Sequence, residues 1–251
     1  IQPPIMRGLT TGGDGLCVVR DDDMPWFSAA VKEADALILA TPIYDLIPTG
    51  TVVTLLNRVL GIGKEYQTYC RTHPKIGAAM ALGGSDWINL TEPLMDLTVR
   101  NLSKGSVIVD KFVVGHNPAP SMVVLDEAVL ERAALLGRRV GEALMDREHA
   151  GFAGDSGVCP ACHCNLLEPR GGARVGCPYC DAEGTAVIRD GSLVVEWDAD
   201  KVRDNRFGPA GDAHHRADIA ASHKKAGENR ERIRQRVQEL EDFDGVFVQP
   251  P

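Results

Sequence analysis

The chain has 251 residues, of which 44% are apolar and 25% are charged, and its formal net charge is −8. This length and composition indicate a globular protein with one main domain and something smaller, and no apolar run approaches the roughly 20 residues that a membrane span needs. The acidic balance disfavours nucleic acid as the main partner, because phosphate binding depends on clustered Lys and Arg.

Seven cysteines are too few for a disulfide scaffold in a chain of this length, and five of them lie between Cys159 and Cys180. This clustering favours metal binding in a reducing compartment, so we expect a cytoplasmic protein. The chain starts at Ile1 without the basic-then-apolar order of a secretion signal, and we expect it to be trimmed or partial.

The first helix is predicted from Met24 to Glu33, because three aspartates and Pro25 precede and open an apolar stretch. An apolar strand follows over residues 36–44 (ALILATPIY), and then a helix over residues 50–60. A second apolar strand, residues 76–82 (IGAAMAL), runs into Gly-Gly-Ser-Asp.

Further along, Leu90, Leu94 and Leu97 mark a helix that Gly105 ends, and the third strand lies in SVIVDKFVVG. A long amphipathic helix then extends to about Arg147. This alternation predicts an α/β fold with a doubly wound parallel sheet.

The remainder differs in composition. Gly-rich residues 149–157 form a linker, two cysteine pairs follow, and a predicted hairpin turns at Asp190-Gly191. Beyond it the chain is polar, with one helical stripe at Ile233, Val237 and Leu240. We therefore assign residues 1–150 to the α/β domain, 151–198 to a small cysteine-rich domain, and 199–251 to a helical tail.

Two loops after apolar strands have the residues of a ligand site, since ligands of open parallel sheets bind beyond the carboxyl ends of the strands. Thr41-Pro42 fixes an extended turn that can present Ile43 and Tyr44 to a planar ligand. Gly83-Gly84-Ser85 lets backbone N–H groups approach polar ligand atoms. The alternative is that both are ordinary strand-to-helix turns.

Together, ADALILATPIY, the following TG turn, LLNR and the strand that ends in GG resemble the flavodoxin-like, NAD(P)H-dependent FMN reductases, which include iron-sulfur flavoproteins. The resemblance covers about residues 15–148. It implies an FMN whose ring lies against two loops, with NAD(P)H as the electron donor and a homo-oligomeric assembly. The implied cofactor-binding residues are Thr41, Pro42, Ile43, Tyr44, Gly83, Gly84, Ser85 and Asp86. The resemblance identifies no obligatory catalytic acid or base.

The sequence departs from this family in two respects. The family's first strand and FMN phosphate loop should precede residue 1. Cys17 falls where the iron-sulfur members have the last cysteine of a compact run, but its neighbours are not cysteines, so we expect no cluster there. Cys17 and Cys70 are predicted to be packed residues.

The cysteine pairs Cys159-Pro-Ala-Cys162 and Cys177-Pro-Tyr-Cys180 resemble the two knuckles of a zinc ribbon. Two facing C-x-x-C turns can supply the four thiolates that Zn²⁺ prefers, and a closed set of four ligands has a structural role. An iron-sulfur cluster is the alternative, with His163 and Cys164 as additional nearby ligands.

Other candidates have less support. His214 and Asp218 are spaced to share one face of a helix as a metal or proton-transfer site, although exposed histidines are the simpler interpretation. Trp87 could stack on a ring or anchor a helix, and His116 follows a strand at the ligand-binding edge.

These features predict an FMN-dependent oxidoreductase that passes reducing equivalents from NAD(P)H or a protein donor to a small organic acceptor such as a quinone. The first alternative is an electron-transfer protein that docks a redox partner. The second is a binding or scaffold subunit without FMN.

Overall fold

The computed structural model describes residues 23–59, 64–117, 122–155 and 157–241. The chain divides into two compact units, Ile1–Gly157 and Val158–Pro251. Cys17, and the strand and phosphate loop expected before residue 1, lie outside the described residues. No helix within the described ranges has the length and apolar character needed to cross a bilayer.

The first unit alternates strands and helices, as expected from the sequence. Its elements are α1 (Met24–Glu33), β1 (Ala36–Tyr44), β2 (Ile47–Pro48), α2 (Gly50–Val59), α3 (Lys64–Thr72), β3 (Ile76–Leu82), α4 (Thr91–Leu102), β4 (Val107–Val114), a 3₁₀ turn (Met122–Leu125) and α5 (Glu127–Met145).

The sheet of this unit has the strand order β2-β1-β3-β4. Strands β1, β3 and β4 are parallel, whereas the two-residue β2 folds back antiparallel on the end of β1. The predicted α/β class with a parallel sheet is therefore confirmed. In a parallel sheet all carboxyl ends share one edge, and here Pro42 aligns with Leu82, and Leu82 with Val114.

The core lies on both faces of the sheet, because the strands bear apolar side chains on alternate sides. On one face Leu136 and Val140 of α5 pack against Ile76 and Ala78 of β3. On the other, Met95 and Val99 of α4 pack against Ala79 and Ala81. The sheet is thus held between helices, and its carboxyl edge is fixed by packing from above and below.

Strand β1 is less buried than its apolar sequence predicts. Ile38 is 48% exposed, whereas β3 has five fully buried residues. The reason is position: β3 pairs with β1 from Ala36 to Pro42 on one side, but β2 reaches only Ile43 and Tyr44 on the other. Among the described residues, no strand covers the rest of that edge.

The second unit contains an antiparallel sheet in the order β5-β6-β7-β8 and three helices. Its strands are β5 (Glu168–Gly171), β6 (Arg174–Gly176), β7 (Glu183–Arg189) and β8 (Ser192–Trp197), and its helices are α6 (Ala199–Arg203), α7 (Pro209–Glu228) and α8 (Arg230–Glu241). The cysteine pairs precede β5 and β7, which is the order that the ribbon interpretation requires.

Candidate active site and cysteine cluster

The carboxyl edge of the parallel sheet brings the two predicted loops together. The first loop continues from β1. Thr41 and Ile43 are buried, 4% and 7% exposed, whereas Tyr44 is 66% exposed. The Thr41 hydroxyl donates to the carbonyl of Pro42 at 2.9 Å, and the Thr49 N–H donates to the same carbonyl at 3.3 Å. Thr41 therefore supports the turn from below, while the Tyr44 side chain faces outward at the edge.

A strained turn closes the first loop. Asp45 and Leu46 both have left-handed backbone, with φ of 48° and 74°, and they join β1 to β2. Positive φ at both central residues is the geometry of a two-residue hairpin turn that favours Asn-Gly, and a leucine there is unusual. The turn is retained because the Leu46 carbonyl accepts hydrogen bonds from the second loop, namely from Leu90 N–H (3.1 Å) and the Thr91 hydroxyl (2.9 Å).

The second loop is tied to the end of β4. Gly83 N–H donates to the Val114 carbonyl at 2.7 Å, and Asn117 N–H donates to the Gly83 carbonyl at 2.9 Å. The Ser85 carbonyl accepts from His116 N–H at 3.2 Å. These hydrogen bonds continue the pairing of β3 with β4 beyond the last residues of the two strands, and they fix the position of the second loop at the carboxyl edge of the sheet.

The exposed part of this second loop offers backbone donors. Gly84, Ser85 and Asp86 are exposed, and their N–H groups donate to no backbone carbonyl of the described residues. Successive unoccupied N–H groups form a concave site for oxygen acceptors. With the aromatic ring of Tyr44 on the neighbouring loop, the edge combines a flat apolar surface and polar donors, which suits the fused ring and carbonyl oxygens of a flavin.

The predicted loop residues thus divide by burial. Thr41, Ile43 and Gly83 are buried and support the loops, whereas Pro42, Tyr44, Gly84, Ser85 and Asp86 are exposed at the edge. Trp87, which directly follows Asp86, is 59% exposed, and its backbone N–H donates to the Ser85 hydroxyl at 3.2 Å.

The second unit holds a cluster of four buried thiols. The Sγ atoms of Cys159, Cys162, Cys177 and Cys180 all lie within 4.8 Å of one another. The pairs Cys159–Cys180 and Cys162–Cys177 are each separated by 3.5 Å. A zinc–sulfur bond of about 2.3 Å gives sulfur separations of about 3.8 Å in a tetrahedron, so the set has the size of a zinc site. Hydrogen bonds with the Cys159 and Cys162 thiols lower the pKa of Cys177, whereas the hydrogen bond with Cys159 raises the pKa of Cys162 and of Cys180.

The two cysteine turns have the same backbone geometry. Within the first, His163 N–H donates to the Cys159 carbonyl, and Cys159 N–H donates to the Cys164 carbonyl. Within the second, the equivalent bonds run from Asp181 to Cys177 and from Cys177 to Ala182. The residue after the second cysteine is left-handed in both turns, His163 with φ 57° and Asp181 with φ 67°.

This equivalence decides the role of the fifth thiol. Cys164 occupies the position that Ala182 has in the other turn, and its Sγ accepts from Leu166 N–H at 3.4 Å. Although Cys164 is buried, it is not in the set of four convergent thiols. The sequence could not make this distinction, because spacing alone leaves Cys164 and His163 as possible ligands.

The other candidate residues, His214, Cys70 and His116, lie in three different environments. His214 Nε2 lies 3.2 Å from Asp218, but both side chains are mostly exposed, 77% and 64%. Cys70 is fully buried beside Tyr66 and Val31. His116 is left-handed (φ 59°) and lines an open cavity of about 450 Å³ beyond β4. Sequence reasoning noted His116 but missed the cavity and the strained turn, for which an Asp-Leu pair gives no signal.

Comparisons with known proteins agree with the geometry of the first unit. Residues 6–116 match the sequence model of the family described as NADPH-dependent FMN reductase. A flavone synthase, cfoJ, from Aspergillus candidus is 29% identical over 188 residues, which cover 67% of this chain and 58% of that protein. An iron-sulfur flavoprotein from Archaeoglobus fulgidus is 29% identical over 129 residues, covering 51% of this chain and 54% of that protein. The chain thus aligns with little more than half the length of either relative.

A solved structure described as flavone reductase superposes with a TM-score of 0.74 at 25% identity. The superposition covers 91% of this chain and 84% of the flavone reductase chain. The similarity therefore extends beyond the α/β unit into the cysteine-rich unit. The family match covers less than half of the chain, and the relatives and the solved structure are 25–29% identical to it. The α/β unit is thus similar to the NADPH-dependent FMN reductase family.

Proposed function

We propose that this chain is an FMN-dependent oxidoreductase that passes reducing equivalents from NAD(P)H to a small organic acceptor. The observation that carries the proposal is the carboxyl edge of the sheet, where Tyr44 on the first loop and Gly84, Ser85 and Asp86 on the second are exposed, in a chain whose residues 6–116 match the NADPH-dependent FMN reductase family. When bound, FMN supplies hydride chemistry, and the protein supplies position and polarity.

The loops act on the ring in different ways. Tyr44 offers an apolar surface, whose stacking contact is worth about 1 kcal/mol. The N–H groups from Gly84 to Asp86 donate to ring oxygens and favour electron density at that side of the ring. Thr41 and the Leu46 carbonyl hold the loops in place, so that the Tyr44 surface and the N–H groups are already positioned before the ring binds.

The acceptor class is suggested by the relatives. One is named for flavone synthesis and the superposed structure for flavone reduction, so both names refer to flavone, a conjugated aromatic ketone. We propose that this chain accepts a conjugated ring compound of that kind or a quinone. A redox protein partner in place of a small acceptor is the alternative role of the same site.

The test combines FMN binding and turnover. Quenching of flavin fluorescence should show that the full chain binds FMN, and NADPH should bleach the flavin until a quinone reoxidises it. Tyr44→Ala should raise the Kd for FMN about fivefold, because a stacking contact of about 1 kcal/mol is lost. Tyr44→Phe keeps the ring and should leave the Kd unchanged.

The outcomes separate the functions. A wild-type chain that binds no FMN would support a scaffold role and overturn the proposal. Bleaching by a reduced redox protein but not by NADPH would indicate an electron-transfer protein. Equal affinities of wild type and Tyr44→Ala would show that the ring binds elsewhere.

We further propose that Cys159, Cys162, Cys177 and Cys180 bind one structural Zn²⁺. The donor set supports this, because four convergent, buried sulfur atoms leave no open position for water or substrate. None of the six cysteines in the described ranges forms a disulfide, which is compatible with a reducing cytoplasmic location.

The tail supports a homo-oligomer. Helix α8 has no buried residue among those described, and Ile233 and Val237, one turn apart, are 47% and 42% exposed. We propose that this stripe packs against another copy of the chain. Sedimentation velocity should show a larger species for wild type than for Ile233→Asp, and equal sedimentation of the two would contradict this role.

A further inference from the structure

The open cavity beyond β4 lies beside the proposed flavin loops and is lined by residues that no part of the proposed flavin contact uses. Its volume is about 450 Å³, within the range of small-molecule sites. Its lining residues are His116, Asn117, Met122, Leu125, Asp126 and Glu127. They come from the end of β4, the 3₁₀ turn and the first turn of α5.

The cavity is built onto the second flavin loop. His116 and Asn117 donate their N–H groups to the carbonyls of Ser85 and Gly83, at 3.2 and 2.9 Å. Gly115 makes this approach possible, because a Cβ there would lie 2.5 Å from the Ser85 carbonyl oxygen. Two of the residues that line the cavity are therefore in direct contact with the loop Gly83–Asp86.

One wall of the cavity is apolar and unusually exposed. Met122 is 48% and Leu125 72% exposed, and the neighbouring Val124 is 64% exposed. Three exposed apolar side chains within one 3₁₀ turn leave apolar surface in water, which a flat ring can cover. This wall favours a ring compound over a flexible polar one.

The cavity is also lined by two carboxylate side chains, Asp126 and Glu127. Asp126 Oδ1 accepts from Val129 N–H at 3.2 Å as the N-cap of α5, while its second oxygen has no hydrogen-bond partner among the described residues. Glu127 is exposed and likewise accepts no hydrogen bond within the described ranges. Ionised carboxylates only accept, so the complementary ligand must carry O–H or N–H donors.

The negative charge of the cavity disfavours the binding of anionic ligands. A helix N-terminus carries only about half a positive charge, whereas two carboxylates next to it carry two negative charges. Among the described lining residues, none is Lys or Arg. The net field is negative, so a phosphate or sulfonate would be repelled, and the FMN phosphate does not belong here.

We infer that this cavity binds an uncharged, planar ring compound that bears hydroxyl groups, with the ring on Met122 and Leu125 and a hydroxyl on Glu127. The role of this ring as the electron acceptor rests on the proposed flavin function. Its binding does not, because the cavity is formed by the protein alone.

Three naphthalenes of equal ring size test the inference by calorimetry with the FMN-treated full chain: 2-naphthol, which is an uncharged donor, 2-methoxynaphthalene, which lacks the donor, and naphthalene-2-sulfonate, which is an anion. 2-Naphthol should bind about tenfold more tightly than the sulfonate and several-fold more tightly than the methyl ether.

Substitutions locate the effect. Glu127→Gln should reduce the ratio of the sulfonate Kd to the 2-naphthol Kd about threefold, and Glu127→Lys should abolish the difference between the two Kd values. Glu142→Gln removes the same charge about four turns along α5 and should leave the preference unchanged. Equal binding of the sulfonate and 2-naphthol to wild type, or an unchanged preference in Glu127→Lys, would overturn the inference.

The two proposals fail separately. The naphthalenes carry no reducible group, so their affinities are measurable whether or not the protein turns over NADPH. Absence of NADPH-dependent turnover with intact naphthol selectivity would refute the flavin function and keep the cavity. Normal turnover without selectivity would refute the cavity alone.

Discussion

Asp110 is a fully buried carboxylate in a strand whose other residues are mostly apolar. Arg132 grips it with two hydrogen bonds of 2.8 and 2.6 Å, and Arg139 adds a third at 3.0 Å. Burial by itself would raise the pKa of Asp110, but the hydrogen bonds from Arg132 and Arg139 outweigh it and lower the pKa. The group thus fastens α5 to the sheet below the candidate site.

Asp110→Asn should destabilise the protein by about 3 kcal/mol, because two arginines would keep their charges in a partly buried site without the carboxylate. Urea unfolding measures this difference. Asp35→Asn is the matched control: Asp35 pairs with Arg147 at 2.8 Å but is 79% exposed, so its loss should cost less than about 0.5 kcal/mol. Equal costs for the two variants would contradict the role of Asp110.

The same carboxylate predicts a pH dependence. A carboxyl group whose pKa is lowered by folding stabilises the native state above its unfolded pKa of about 3.9 and loses that contribution as the pH falls through its folded pKa. The stability difference between wild type and Asp110→Asn should therefore be constant near neutral pH and shrink below about pH 4. A difference that grows on acidification would contradict this assignment.

At the scale of elements, a β-bulge in β4 determines which face of the sheet its charged residues lie on. The register between β3 and β4 shifts after Gly77, which pairs with Ile108, so that Ala78 pairs with Asp110. Such a bulge inserts one residue and reverses the faces that follow. Ile108 consequently faces α4, whereas Asp110 reaches the arginines of α5, and Lys111 pairs with Glu92 of α4 at 2.8 Å.

The end of the same strand gives a prediction about glycine. Gly115→Ala should destabilise the protein and weaken FMN binding, because its Cβ would lie 2.5 Å from the Ser85 carbonyl and push away the second loop. Gly137→Ala, inside α5 with nothing within 4 Å, should instead stabilise it by about 0.5–1 kcal/mol. Thermal unfolding and flavin titration of both variants measure the contrast, and parallel effects would refute it.

Elements with a strong apolar period were predictable, and others were not. The helix Met24–Glu33 and the strand Ile76–Leu82 have the predicted bounds. Helix α3 was missed, because its amphipathic face consists of Tyr66, Tyr69 and Cys70, whose burial depends on contacts with Val31 and Leu37. Local propensity does not report such tertiary contacts.

The positions of the two loops of the candidate site were predictable from the residues at the strand ends, because parallel strands bring their carboxyl ends to one edge. Their role in binding stays a prediction. The hydrogen bonds from Leu90 and Thr91 to Leu46 were not predictable, since they join residues that are 44 and 45 positions apart in the sequence. The cavity at His116 also depends on α5 beginning beside β4, which the sequence pattern does not specify.

At the scale of the whole molecule, the chain combines two units with different sources of stability. The first has apolar clusters on both faces of a sheet. In the second, the most buried side chains are cysteines, and the tail helices α7 and α8 bury none of their described residues. We expect a unit with so little apolar core to depend on the proposed zinc, because the free energy of metal binding would then be folding free energy.

Metal removal should therefore act on one unit only. Metal analysis should give one zinc per chain in wild type and in Cys164→Ala, and none in Cys180→Ala, because Cys164 matches Ala182 rather than a ligand. In calorimetry, a strong chelator should lower or remove the transition of the second unit, since structural zinc contributes on the order of 10 kcal/mol. The transition that FMN raises should not move.

Added zinc should restore the lost transition in wild type and Cys164→Ala but not in Cys180→Ala. The contrast is informative because both substituted cysteines, Cys164 and Cys180, are buried, so general damage to the core would affect Cys164→Ala as well. Zinc bound equally by Cys180→Ala and wild type would refute the four-thiolate site. A chelator that moved both transitions together would show instead that the two units unfold as one.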